Sequence, residues 1–280
     1  MKISLYILLA LFISFHSSAQ NLVPNASFED TISSPCNGYS FPALSNWISP
    51  SSVSSPDYYH PCNSPLVWGV PDNQTGFQDA RTGIAYAGIV TYWEGLSSRR
   101  EYIENQLTQQ LINGTKYYWS FWISRADYLD YASNNIGICL APNPVTSATN
   151  EFIPLAPIGN LYSVVLDSAN WTQVCGEYIA NGGEEYLVIG NFFDNSQTNI
   201  IQVQQGTSET IGAYYYIDDV YLSIDPIVCN GNVGIEEPSM PIRQLIKVVD
   251  ILGRETEDKP NSFLIYIYSD GTTEKVYRFD

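Results

Sequence analysis

Hydrophobic residues along the chain recur mainly at every second position, in short runs broken by Asn, Gly, Pro and Ser. In "KYYWSFWISRAD" this alternation puts Tyr117, Trp119, Phe121 and Ile123 on one face, and Tyr118, Ser120, Trp122 and Ser124 on the other. That is the period of a strand with one side against a core. Asn113-Gly114, just upstream, marks the turn out of "ENQLTQQLI". "GIAYAGIVTYW" sets Ile84, Tyr86 and Tyr92 against the small Ala85 and Ala87. "EYLVIGNFF" and "GAYYYIDDVYLSI" share the same β-branched and aromatic character. Helical periodicity is nearly absent. Many short strands between turn residues predict an all-β fold, an antiparallel β-sandwich rather than an α/β sheet.

The N-terminus follows a different pattern. Lys2, an apolar run over 3–15 and the small residues Ser17-Ser18-Ala19 have the form of a secretory signal peptide, 1–19, cleaved after Ala19. The run is shorter than the roughly 20 apolar residues that a membrane span needs. No later stretch is apolar enough, so no transmembrane segment is expected. Export brings an oxidising compartment, which makes the five cysteines disulfide candidates. Cys36 and Cys62 bracket a loop rich in Pro, Ser and Asn, and a bridge there should contribute on the order of 3 kcal/mol. Cys139 and Cys175, each in a strand-like run, are the second expected pair, which leaves Cys229 over. No C-x-x-C spacing supports a metal or thioredoxin-type reading.

Charge divides the chain. No Lys or Arg occurs between Ala126 and Ile242, yet Arg243, Lys247, Arg254, Lys259, Lys275 and Arg278 crowd into the last 38 residues. Between the two regions lies "CNGNVGIEEPSMP", with the composition of a linker. The expected organisation is a β-sandwich over 20–226, a linker over 227–242 and a small C-terminal unit over 243–280. In that unit Asp270-Gly271, between two strand-like runs, is a tight-hairpin signal. A unit this short and without cysteine seldom folds without a partner surface. The formal net charge of −17 repels phosphate backbones and anionic lipid surfaces, which excludes a nucleic-acid-binding role.

Two resemblances sharpen this outline. The tail "LIKVVDILGRETEDKPNSFLIYIYSDGTTEKVYRF" resembles the C-terminal sorting domain of type IX secretion substrates, with Leu252-Gly253-Arg254-Glu255 and Asp270-Gly271 at the matching positions. It lacks the "PNP"-type opening of longer sorting domains and so resembles a short variant. The likeness implies the type IX secretion machinery as a partner, passage through the periplasm, and delivery to the outer-membrane surface or release. The mature N-terminus "NLVPNASFED", Trp47 and the closing "YYYIDDVYLS" are similar to the first and last strands of jelly-roll carbohydrate-binding modules. This resemblance implies a jelly-roll-like sandwich and a structural calcium ion held by Glu29 with Asp218 or Asp219. Oxygen donors of this kind suit Ca²⁺, although the same acids also read as exposed charges.

Candidate chemistry is sparse. His16 lies in the signal peptide, so His60 is the single histidine of the mature chain. Without a G-x-S-x-G elbow, a Ser-His-Asp triad has little support. Adjacent acids such as Asp218-Asp219 and Glu184-Glu185 are expected on opposite faces of a strand, which does not provide the facing carboxylates of a glycosidase. No catalytic residue is assigned. Aromatic rings that can lie against a sugar are the better candidates: Trp68 and Trp93 near loops, with Tyr58 and Tyr59. Arg99 and Arg100 join them because basic residues are so rare here, with a structural ion pair as the competing role. A non-enzymatic carbohydrate-binding or adhesive surface protein is the expected function. Its alternatives are a surface hydrolase with dispersed carboxylates and a purely structural surface protein.

Overall fold

In the computed structural model, the described residues are 20–36, 41–65, 67–95, 98–204, 211–229, 245–257, 259, 261–268 and 273–277. The expected signal peptide, most of the expected linker, Arg243, Arg278 and the Asp270-Gly271 pair lie outside them. The chain divides into two compact units, Met1–Ile235 and Glu236–Asp280.

The larger unit is an all-β sandwich of two five-stranded antiparallel sheets. The first is ordered Trp47–Ile48 (β1), Tyr102–Gln106 (β6), Tyr186–Asn191 (β12), Ile136–Ala141 (β9) and Gly159–Leu161 (β10). The second is ordered Thr172–Ile179 (β11), Lys116–Arg125 (β7), Gly212–Ser223 (β14), Tyr86–Trp93 (β5) and Asp57–Tyr59 (β2). Two-stranded pairs, Asp72–Asn73 (β3) with Gly76–Phe77 (β4) and Tyr131–Ser133 (β8) with Ile200–Gln202 (β13), complete it. Among the described residues the only helical element is a 3₁₀ turn at Phe41–Ala43, and no helix is long and apolar enough to cross a membrane.

Alternation builds the core. Tyr117, Trp119, Phe121 and Ile123 of β7 all face inward, against Ile103, Ile136, Ile138, Leu187 and Ile189 of the opposite sheet. Trp119 spans the gap: its indole lies over Gly176 in its own sheet and against Gly159 in the facing one, where any Cβ would collide with the ring. Ala85, just before β5, and Ala87 and Ile89 within it face this core. Tyr86 and Val90 instead join Tyr59, Tyr214 and Tyr216 in a second apolar layer on the outer face of the second sheet. Tyr92 parts from Tyr86 and packs in the main core, near the register shift at Ala213/Tyr214.

The smaller unit holds Leu245–Asp250 (β15), Phe263–Tyr268 (β16) and Thr273–Tyr277 (β17) in one antiparallel sheet. Asp250 Oδ1 accepts hydrogen bonds from the backbone of Leu252 (2.8 Å) and Arg254 (2.9 Å), which shapes the Leu252-Gly253-Arg254-Glu255 turn.

The disulfides are Cys36–Cys62 and Cys175–Cys229. The expected Cys139–Cys175 bridge does not form. Ile138 and Val174 point into the core from opposite sheets, so the next residue in each strand points outward and the whole sandwich separates the two sulfurs. Cys139 is a buried free thiol packed with Tyr102, Val188 and Phe192.

Candidate functional site

A tyrosine network lies beneath a cleft on the second sheet. The β3–β4 hairpin folds over the outer face of the second sheet. There Tyr216 Oη donates to Asn73 Oδ1 (2.9 Å), Asn73 Nδ2 donates to Tyr86 Oη (3.2 Å), and Thr75 Oγ1 pairs with Tyr59 Oη (3.0 Å) and Tyr216 Oη (2.9 Å). The Cys36–Cys62 bridge lies ahead of this hairpin in the chain and anchors the segment that follows β2. His60 Nδ1 accepts the Cys62 backbone N–H at 3.1 Å, a structural role for this histidine.

Beside the roof lies a cavity of about 660 Å³ lined by Asp57, Trp68, Trp93, Arg99, Glu101 and Tyr214, among others. Both indoles are half-buried. Trp68 Nε1 donates to Asp57 Oδ1 at 2.9 Å, which fixes the ring, and Tyr214 Oη donates to Asp57 Oδ2 at 2.7 Å. Asp57 opens the edge strand β2. Glu101 precedes β6 and clasps β5 across the sandwich edge: its N–H donates to Val90 O (2.9 Å), and its Oε2 accepts the Val90 N–H (3.0 Å). The Arg99 guanidinium lies 3.8 Å from Glu101 Oε1 and 5.1 Å from the centre of the Trp93 ring. Burial raises both carboxyl groups above the usual range. The Asp57 charge raises Glu101 further, while the Tyr214 and Trp68 donors pull Asp57 partly back.

Of the six residues expected to meet a ligand, Trp68, Trp93 and Arg99 come together in this cavity. The other three do not reach it. Tyr58 is fully buried in the core, its hydroxyl donating to Phe28 O at 2.9 Å. Tyr59 points the other way, as alternation requires, but lies beneath the site with its hydroxyl on Tyr214 Oη (3.0 Å). Arg100 is also fully buried. It donates to the carbonyls of Arg99 and Phe193 and to Asn195 Oδ1 and Thr198 Oγ1, tying two loops together. Its hydrogen bonds go to carbonyl, amide and hydroxyl oxygens, and the Asp194 charge acts on it from further off.

Sequence reasoning missed Asp57 and Glu101. Asp57 alternates with Tyr58, so it shares the outward side of Tyr59, and Glu101 directly follows the only adjacent arginine pair in the chain. Those are the signals that could have singled them out.

Glu29, Asp218 and Asp219 all grip one loop, 81–85, and they do so separately. Glu29 Oε1 accepts the backbone N–H groups of Ile84 (2.9 Å) and Ala85 (3.1 Å). Gly83, with φ +63°, leaves the room that this carboxylate fills. Asp218 Oδ2 accepts Arg81 N (2.9 Å), and Asp219 takes the Arg81 guanidinium and the Thr82 hydroxyl. Two adjacent acids serve the same loop because β14 bulges there. Asp219 adopts φ +48°, and the inward positions change from Tyr215 and Ile217 to Val220 and Leu222. The expected opposite-face rule fails for this pair. Burial, then the neighbouring Asp219 charge, pushes Asp218 up to about 8. Among the described residues these three acids do not form a converging ligand cluster; the one group close enough is Cys36, His60 and Cys62, whose sulfurs are already bonded.

Fold and cleft together define a β-sandwich with a roofed, aromatic-walled cavity on one sheet. No family model matches the chain, and no curated protein matches it by sequence. Solved structures similar to it include the K1 cleaved adhesin domain of Lys-gingipain from Porphyromonas gingivalis, at 12% identity over 71% of this chain and 96% of that one, with a TM-score of 0.38. The CBM22-1 xylan-binding domain from Paenibacillus barcinonensis Xyn10C matches at 10% identity over 72% and 94%, TM-score 0.37. The C-terminal family 22 carbohydrate-binding module of Clostridium thermocellum Xyn10B matches at 11% over 74% and 98%, TM-score 0.37.

Proposed function

We propose that this protein is an exported, non-catalytic β-sandwich that binds glycan in the cavity between Trp68 and Trp93. One observation carries the reading: two half-exposed indoles share a cavity of about 660 Å³ with fixed polar groups. Apolar ring faces pack on a pyranose while a few oriented donors and acceptors read its hydroxyls. Two disulfides support export to an oxidising compartment. The turn and strands of the C-terminal unit support the reading of that unit as a type IX sorting domain, with the surface or the medium as destination.

A second reading has an observation in its favour. Asp57 and Glu101 face one cavity with a shared tendency to hold a proton, the raw material of a glycosidase. A glycan array on the mature chain, beside a hydrolysis assay on the glycans retained, separates the two. Binding without turnover is expected. Turnover abolished by both Asp57→Asn and Glu101→Gln would replace the binding reading with a hydrolase, and no binding to any glycan would leave a structural surface protein.

A further inference from the structure

The cavity holds more acidic groups than basic ones. Asp57 and Glu101 both line it, and among its described lining residues only Arg99 is cationic. Arg99 is already engaged, 3.8 Å from Glu101 and over the Trp93 ring. Asp57 accepts its hydrogen bonds from neutral donors, Trp68 and Tyr214. Tyr59 and Tyr214 beneath it are held neutral by burial and supply no counter-charge. Two carboxyl groups therefore face one guanidinium, and burial together with mutual repulsion keeps a proton between them. A cation that entered would replace that proton and meet an acceptor pair strengthened by the low local dielectric.

Building on the glycan reading of this same cavity, we propose that its ligand is an amino sugar with a free, protonated amine: the ammonium goes to Asp57 and Glu101, and the ring packs between Trp68 and Trp93. Two features suit this ligand. The indole walls favour a cation as well as a sugar face, and the net charge of −17 draws cationic ligands toward the protein. General attraction must be separated from recognition at the site, and the variants below do so.

The test is calorimetric titration of the mature chain at pH 6 with three ligands: a β-1,4-linked glucosamine tetrasaccharide, its fully N-acetylated counterpart and cellotetraose. The free amine should bind about tenfold or more tightly than either neutral sugar, the margin between a charge-assisted and a neutral hydrogen bond. That preference should vanish in the Asp57→Asn/Glu101→Gln double variant, which keeps nearly all of the chain's negative charge. If that variant does not fold, the wild-type titration repeated in buffers of different ionisation enthalpy should still report proton release when the amine binds. Equal affinity for all three sugars, or a preference that survives the double variant, overturns the amino-sugar assignment and leaves the glycan reading intact. Failure of all three sugars to bind also overturns the assignment, and the glycan array then decides the broader reading.

Discussion

Trp68 and Trp93 line one cavity and are held in place by different means. Trp68 is anchored by its own N–H on Asp57. Trp93 has the Arg99 guanidinium over its ring and the bare backbone of Gly212 against it, where a Cβ would lie 2.6 Å from the indole. Replacing either by Ala should weaken glycan binding roughly tenfold or more, as expected for a central aromatic anchor. Tyr58→Phe makes the contrast. Its hydroxyl is spent inside the core on Phe28 O, so the change should cost about 1 kcal/mol of stability and leave affinity unmoved. Loss of affinity in Tyr58→Phe without loss of stability would contradict this division of roles.

At the scale of single elements, the bulge in β14 governs the loop 81–85. Calcium remains a proposal for Glu29, Asp218 and Asp219, with the Arg81 guanidinium as the competing source of positive charge at Asp219. A melting temperature lowered by excess chelator would assign the ion; an unchanged one would leave Arg81 as the counter-charge. The raised pKa of Asp218 has a further consequence. The folded state binds a proton that the unfolded state has released, so the stability this group contributes is fully present below the unfolded value near 4 and is lost as pH rises toward about 8. Asp57 and Glu101 act in the same direction. Melting curves of Asp218→Asn should therefore show a shallower loss of stability between pH 5 and pH 8 than wild type, and an identical slope would refute the account of this buried acid.

The bulge also shows what the sequence could convey. Strand β7 was legible because its two faces differ, large apolar side chains inward and Ser or half-exposed aromatics outward. In β5 the two sets of residues were legible but not which side each faced. The core buries one side of that strand and the roof formed by the β3–β4 hairpin the other, so large and small alternate there in place of apolar and polar. Trp68, Trp93 and Arg99 could be singled out as loop-side aromatics and a scarce cation. Asp57 and Glu101 carried only the weaker signals of alternation with Tyr58 and a neighbouring arginine pair, because they meet only when the edge strand of one sheet lies beside the entry to a strand of the other.

For the whole molecule, the two units call for separate experiments. Removing 243–280 should trap the chain in the periplasm if that unit is the sorting signal; normal surface delivery of the truncation would end the type IX proposal. The central claim, that the cavity beside the roof is the glycan site, is tested most directly by the indole N–H resonances of the mature chain during titration with a glycan retained on the array. Trp47 and Trp119, buried in the core, serve as internal references. The account predicts that the Trp68 and Trp93 resonances shift and saturate together while those two stay fixed. Saturable binding that leaves Trp68 and Trp93 unmoved would contradict it.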